Sequence, residues 1–278
     1  MIIDCHTHIF PPEFAAAREK LARACRYFGL LYGNPKSRMA DAEHLLASMK
    51  RAGIDRAVAF GFPFADAGRL RAANDYVCDA AARSEGRIIP FAVVNPAEPA
   101  SAERELERLA GRGLKGIGEL MPDGQDFRLD DARVVDGLLK TAAQSGLAVM
   151  VHGSEPVGHE YPGKGHVTPD VICRVAARLP ELRIIAAHWG GGLIAYELMP
   201  EVAETLRNVW YDSAASSLLY DDRAYAAGAL LAPRKILFAT DFALLSQQRM
   251  LTRARAALAG SPALADFLGD NAQRLLGN

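Results

Sequence analysis

The sequence predicts an α/β protein, a single-domain (β/α)8 TIM barrel over residues 1–278 with a helical insertion after the first strand. Two observations predict it. Eight short apolar strands each lead into a helical segment, with no break in composition between them. Side chains suited to metal chemistry stand at the C-terminal ends of several of those strands. Strict alternation implies a parallel sheet, and eight units imply a closed one. An open doubly wound sheet would carry a glycine-rich phosphate loop after strand one, where this chain has His6-Thr7-His8.

The first strand covers residues 2–8, and its alternation sends His6 and His8 to one face, about 7 Å apart along the strand. Residues 9–38 follow, with a helix near 13–28 and the turn-prone Gly33-Asn34-Pro35. Connections from strand to helix normally take about 2–6 residues, so this excursion reads as a lid or as a surface helix. Met39, Ala42, Leu45, Leu46 and Met49 mark one helical face that stops at Gly53, with His44 off that face and solvated.

Strand two, 56–62, ends at Pro63. Its helix carries Leu70, Ala73, Val77 and Ala81 and stops at Gly86. Strand three, 88–94, closes at Asn95-Pro96 before a helix at 99–110. Strand four, 114–120, ends in Glu119, and the helix bearing Val134, Val135, Leu138, Leu139 and Ala142 runs to Gly146. Strand five, 147–152, is apolar until His152. A polar loop, 153–166, holds Glu155, His159, Tyr161, Lys164 and His166, and Thr168-Pro169-Asp170 starts the next helix. Strand six, 183–188, ends in His188 before Trp189 and three glycines, and its helix is interrupted at Pro200. Strand seven is 208–213, followed by a helix at 221–231. Strand eight is 235–241 and ends in Asp241, with helical stretches at 244–258 and 262–276 closing the chain.

Half of the 278 residues are hydrophobic, enough for a substantial core. The net charge of −1 gives no basic footprint for nucleic acid, and no apolar run is long enough to span a membrane. Cys5, Cys25, Cys78 and Cys173 lack any C-x-x-C spacing, and the N-terminus lacks a signal-peptide pattern. A cytoplasmic protein with reduced thiols and a small-molecule substrate is expected.

Four of the seven histidines, His6, His8, His152 and His188, fall at predicted strand ends with Glu119 and Asp241. Singly, each has an ordinary use. Glu119 could pair with Lys115, Asp241 could cap a helix, and Asp212 competes as a carboxylate but suits a structural hydrogen bond better. Jointly, they mark the catalytic face of a barrel. Imidazoles with carboxylates suit a divalent first-row metal, zinc first, whereas calcium or magnesium would want oxygen ligands. Such an ion lowers the pKa of bound water from about 15.7 to about 7, and Asp241 is placed to shuttle the proton.

The motifs His6-Thr7-His8, Gly116-Ile117-Gly118-Glu119-Leu120, His152-Gly153, His188-Trp189-Gly190-Gly191 and Ala239-Thr240-Asp241-Phe242 resemble the amidohydrolase superfamily, in its amidohydrolase-related branch of hydrolases and decarboxylases. The resemblance spans residues 1 to about 245. It implies that His6, His8 and Asp241 bind one ion and His152 and His188 a second, with Glu119 as the bridge. In the decarboxylase pattern it implies one ion on His6, His8, His152 and Asp241, with His188 acting on water or substrate. A homo-oligomer would suit it.

The leading expectation is a metal-dependent hydrolase of a small amide, lactone or ester, with metal-activated hydroxide and Asp241 as shuttle. The alternative is a single-metal, non-oxidative decarboxylase of a small unsaturated or aromatic acid. A phosphodiesterase or nuclease comes third, and a barrel that has lost catalysis last. Tyr161, Lys164 and Trp189 are candidate contacts for an anionic or planar ligand.

Overall fold

Ile3–His8 forms the first strand, β1, and all six of its residues are buried. Burial on both faces suits a barrel strand, whose inward side chains fill the lumen while the outward ones meet helices. The computed structural model describes residues 1–277. Its other strands are β2 (Arg56–Phe60), β3 (Ile88–Ala92), β4 (Gly116–Leu120), β5 (Ala148–Val151), β6 (Ile184–Ala186), β7 (Val209–Asp212) and β8 (Ile236–Leu237). They pair in parallel in chain order, as the alternation predicts. The ring closes between β8 and β1. Cys5 N donates to the Phe238 carbonyl at 2.8 Å, Asp241 N to His6 O at 3.0 Å, and His8 N to Phe242 O at 2.6 Å.

Helices α1 (Pro12–Ala16), α2 (Arg18–Ala24) and α3 (Arg26–Tyr32) make up the insertion. The barrel is wrapped by α4 (Ala42–Ala52), α5 (Ala67–Arg83), α6 (Pro99–Leu109), α7 (Pro122–Gln125), α8 (Ala132–Gln144), α9 (Pro169–Arg178), α10 (Pro200–Thr205), α11 (Ser216–Leu219), α12 (Arg223–Leu231), α13 (Gln247–Ala257) and α14 (Asn271–Leu276). The longer ones start and stop on chemistry visible in the sequence. Asp41 accepts from His44 N to cap α4, and Gly53 ends that helix at φ 71°. Asp66, Asp131 and Ser246 cap α5, α8 and α13 in the same way.

Most strands are one to three residues shorter than the sequence expectation, and three elements depart from it further. The single helix near 13–28 is three short ones, because Cys25 is extended (φ −134°, ψ 110°) and Ala17 leaves helical geometry. Strand eight shrinks to two residues. Beyond it, Ala239 exchanges bonds with the Ser213 hydroxyl and Phe238 N donates to Phe267 O, so side chains and a helical turn replace the ladder. After β6, Trp189 and Gly190–Gly192 run at φ 59° to 94°, a left-handed stretch that delays regular helix until Pro200.

Aromatic packing fixes the insertion over one end of the barrel. Phe28 of α3 is fully buried, stacks on Phe64 at 5.5 Å between centroids, and meets Phe62 edge-on at 5.3 Å. Each such pair adds about 0.5–1.5 kcal/mol beyond area burial.

Candidate metal centre

At the C-terminal end of the strands, all six sequence-predicted residues meet. The register of β1 against β2 slips between Asp4 and Thr7, and that of β4 against β5 slips between Ile117 and Leu120. Irregularities of this kind re-aim side chains, and here they fall at His6 and Glu119. Gly118, at φ 119°, permits the second one: a Cβ there would lie 2.3 Å from the Met150 carbonyl oxygen. His188 and Asp241 take positive φ of 58° and 62°, uncommon for residues with a Cβ and costing on the order of 1–3 kcal/mol each. His188 N donates to Asp212 Oδ1 and Asp241 N to His6 O, which holds both in place.

Each of the four histidines has one ring nitrogen engaged outward on an oxygen acceptor. His6 Nδ1 donates to Asp212 Oδ2 at 2.9 Å, His8 Nδ1 to Gly61 O at 3.3 Å, His152 Nε2 to Gly163 O at 2.9 Å and His188 Nδ1 to Ala214 O at 3.0 Å. A carbonyl or carboxylate accepts only, so a hydrogen sits on the outer nitrogen, and the inner one is left to bind an ion once any proton on it has been displaced.

The inner atoms cluster as ligands would. His6 Nε2 and His8 Nε2 are 3.3 Å apart. Glu119 Oε2 lies 3.6 and 3.7 Å from them, and Asp241 Oδ1 lies 3.9 and 3.5 Å away. Four tetrahedral donors at about 2.0–2.2 Å from one ion would sit about 3.3–3.6 Å from each other. The His6–His8–Glu119 triad therefore fits a divalent cation, with Asp241 Oδ1 close to its two imidazoles. The other oxygen of Glu119 faces the second histidine pair, 2.8 Å from His152 Nδ1 and 3.4 Å from His188 Nε2. Two potential ion-holding triads, His6–His8–Glu119 and Glu119–His152–His188, thus share one carboxylate.

Charge tells the same story. Burial alone would lower His6, but Asp212 and Glu119 override it and raise it to about 9. Burial is overridden at His188 too, by its hydrogen bond to Glu119 and that carboxylate's charge, and its pKa rises to about 10. His8 is pushed down by burial. Burial would raise Glu119, yet the neighbouring His6 and His152 hold it well below the usual range. Without a metal, the carboxylates draw protons onto the imidazoles. A divalent ion would supply that charge instead.

Two supporting residues were not assigned a site role from sequence. Asp212 accepts from His6 Nδ1, His188 N and Ala214 N. Asp4 accepts from His6 N, Thr240 N, Thr240 Oγ1 and Gln247 Nε2, which ties β1 to the segment after β8. An aspartate inside an otherwise apolar strand was the available signal for each.

Above the donors opens a cavity of about 500 Å3. Leu30, Leu31 and Tyr32 from the insertion and His159, Tyr161 and Gly163 from the 153–166 loop line it. Of the three candidate ligand contacts, only Tyr161 faces this cavity. Trp189 is buried, with its indole N–H on Ser216 Oγ. Lys164 turns its ammonium to loop carbonyls and Glu160.

A family model described as Amidohydrolase matches residues 3–277. The chain belongs to the amidohydrolase family. No curated protein sequence matches this amidohydrolase significantly. Among solved structures, it is similar to 5-carboxyvanillate decarboxylase from Sphingomonas paucimobilis, with TM-score 0.80, 20% identity and coverage of 99% and 98% of the two chains. The Novosphingobium aromaticivorans 5-carboxyvanillate decarboxylase, complexed with manganese and 4-hydroxy-3-methoxy-5-nitrobenzoic acid, gives TM-score 0.78 at 18% identity over 99% and 96%. A Polaromonas dihydroxybenzoic acid decarboxylase, with manganese and 2-nitroresorcinol, gives 0.72 at 15% over 99% and 96%.

These similarities correct two expectations for the amidohydrolase. Hydrolysis of an amide, lactone or ester is set aside, because the similar structures are named as decarboxylases, which was the alternative reading. Zinc as the first choice gives way as well, since the metal named in two of them is manganese. The sequence features behind both expectations, imidazoles beside carboxylates at barrel strand ends, are shared by hydrolases and decarboxylases and do not separate them.

Proposed function

We propose that the chain is a divalent-metal-dependent, non-oxidative decarboxylase of a small aromatic carboxylic acid. One observation carries the reading: a cation-ready donor set forms the floor of a cavity whose walls are apolar. Decarboxylation turns a charged carboxylate into neutral carbon dioxide and an arene. Apolar walls disfavour the charge being lost and tolerate both products. The similar structures named above support the substrate class.

In this reading, His6, His8, Glu119 and Asp241 hold the ion, with His152 and His188 on the far oxygen of Glu119. When bound, the ion supplies the positive charge that draws the carboxyl end of the substrate to the floor. The carbon–carbon bond breaks, its electron pair stays on the ring carbon, and that carbon takes one proton. His188 Nε2 and the Asp241 oxygen that is not on the ion are placed to hold it. Tyr32 and Phe62 form wall against which a ring can lie, with Leu30 and Leu31 excluding water.

The test is a panel of hydroxybenzoates given to manganese-loaded protein in labelled water. Carbon dioxide and arene should appear in equal amounts, with no solvent oxygen in the arene. An arene containing solvent oxygen, or no carbon dioxide from any hydroxybenzoate, would overturn the reading. Metal content beside a Glu119→Ala variant tests the ligand set, and an unchanged ion count and affinity in the variant would remove Glu119 from it.

A further inference from the structure

The cavity gathers its carboxylates and most of its imidazoles at one end. Its floor presents His8, Glu119, His152, His188 and Asp241. Its walls include Leu30, Phe62, Met121, Leu218, Leu219 and Leu244. Among the described residues that line it there is no lysine or arginine, although the chain has 32 of them.

Neighbouring polar groups are already committed. Lys164 Nζ lies 3.2 Å from Glu160 Oε1 and 3.3 Å from the His159 carbonyl oxygen. The Tyr161 and Tyr220 hydroxyls both donate to Glu155, at 2.7 and 2.6 Å. That carboxylate clasps the 153–166 loop to the segment after β7 and adds negative charge behind the wall. Tyr32, His159, Asn34 and Ser37 are the remaining polar side chains away from the floor; none is a lysine or arginine, and His159 and Asn34 are exposed.

A second carboxylate on the substrate would therefore lie against leucine and methionine with part of its water removed and no lysine or arginine beside it, which is unfavourable. We propose that this site selects by charge at the end of the substrate remote from the histidines: it takes an aromatic monocarboxylate with uncharged substituents and rejects a dicarboxylate. The inference rests on the decarboxylase reading and narrows it. 5-Carboxyvanillate, the substrate named for two of the similar structures, carries two carboxylates, one to lose and one to keep. No lysine or arginine lines this cavity to hold the second.

A pair of acids that differ by one carboxyl group tests the point. The probes are 5-carboxyvanillate, a dicarboxylate, and 2-hydroxy-3-methoxybenzoic acid, which differs only in lacking the carboxyl group that vanillate keeps. Read as competitors of 2-nitroresorcinol on manganese-loaded protein, the monoacid should bind at least about 100-fold more tightly than the diacid. Leu218→Arg, at a half-exposed wall position where a long side chain is tolerated, should shrink that gap by about tenfold or more. Leu218→Gln should leave the gap in place and so separates charge from size.

Equal or tighter binding of the diacid by the native chain overturns the charge selectivity and leaves the decarboxylase reading standing. Failure of both compounds to bind, alongside 2-nitroresorcinol, removes the aromatic-acid reading and the selectivity with it.

Discussion

Histidine orientation is fixed one nitrogen at a time, and Asp212 fixes the most. It is fully buried, accepts from His6 Nδ1, and holds the strained His188 backbone through Oδ1. An Asp212→Asn variant keeps the shape but can present an N–H where His6 needs an acceptor. Manganese affinity should fall about 10–100-fold with the fold retained, read by metal titration beside circular dichroism. Unchanged affinity would show that His6 needs no such partner.

Protons give a second prediction at this scale. His6 and His188 rise in the fold from 6.5 to about 9 and about 10, so their contribution to metal-free stability is complete below 6.5 and is lost as pH rises through 9 to 10. Glu119, lowered from 4.5, contributes above that value and loses its contribution as pH falls, while His8, lowered from 6.5, opposes folding in acid. The metal-free melting temperature should therefore drop on the alkaline side. Manganese affinity should climb from about pH 7 to about pH 9 as binding displaces protons. Scanning fluorimetry with and without manganese reads both, and a flat affinity would show that the ion releases no protons.

The histidines were legible because an imidazole at the end of an apolar strand has few other uses. Asp212 was legible as a structural hydrogen-bonder, though not its partners, and Asp4 was not legible at all, because it answers Thr240 and Gln247 across the ring and no local pattern announces such pairings.

Among the elements, the join between β1 and β8 differs from the other seven. β8 is two residues long, and the join depends on a few backbone bonds and on the Asp4 carboxylate, which accepts four. Burial raises Asp4 to about 6 against those bonds. Asp4→Asn would set an amide N–H against donors that all point inward. It should cost about 1–3 kcal/mol in denaturant unfolding and loosen both His6 and Asp241. A variant as stable as the parent would show that the carboxylate is dispensable.

Strand existence and order were readable from apolar runs between glycine and proline stops. The length of β8 was not, because Lys235-Ile236-Leu237-Phe238-Ala239 reads as strand whether its bonds go to a neighbouring strand or to Ser213 and Phe267. The insertion was visible as an excursion. Its division at Ala17 and Cys25 was hidden in helix-compatible residues, because the packing of Phe28 and Tyr32 on Phe62 and Phe64 settles the path.

For the molecule as a whole, sequence period gave the barrel, while the reaction lay outside what residue types decide: the same donors serve water activation and carboxylate capture. The proposed reading draws on the cavity wall as well, and the wall is assembled from segments distant in the chain, such as Leu30, Met121, Leu218 and Leu244. No described helix is long and apolar enough to cross a membrane. Metal removal should be felt globally. Free manganese at about 1,000 times its dissociation constant would add about 4 kcal/mol to unfolding, and chelation should withdraw it. Identical melting curves in manganese and in chelator would argue against the centre.

The positions of the ligands give that cation a second consequence. His6 and His8 belong to the first strand and Asp241 follows the last, so an ion held between them would join the two ends of the polypeptide across the weakest join of the ring. In polymer language it is a removable staple closing a loop of nearly the full chain, the length at which a cross-link restricts the unfolded ensemble most.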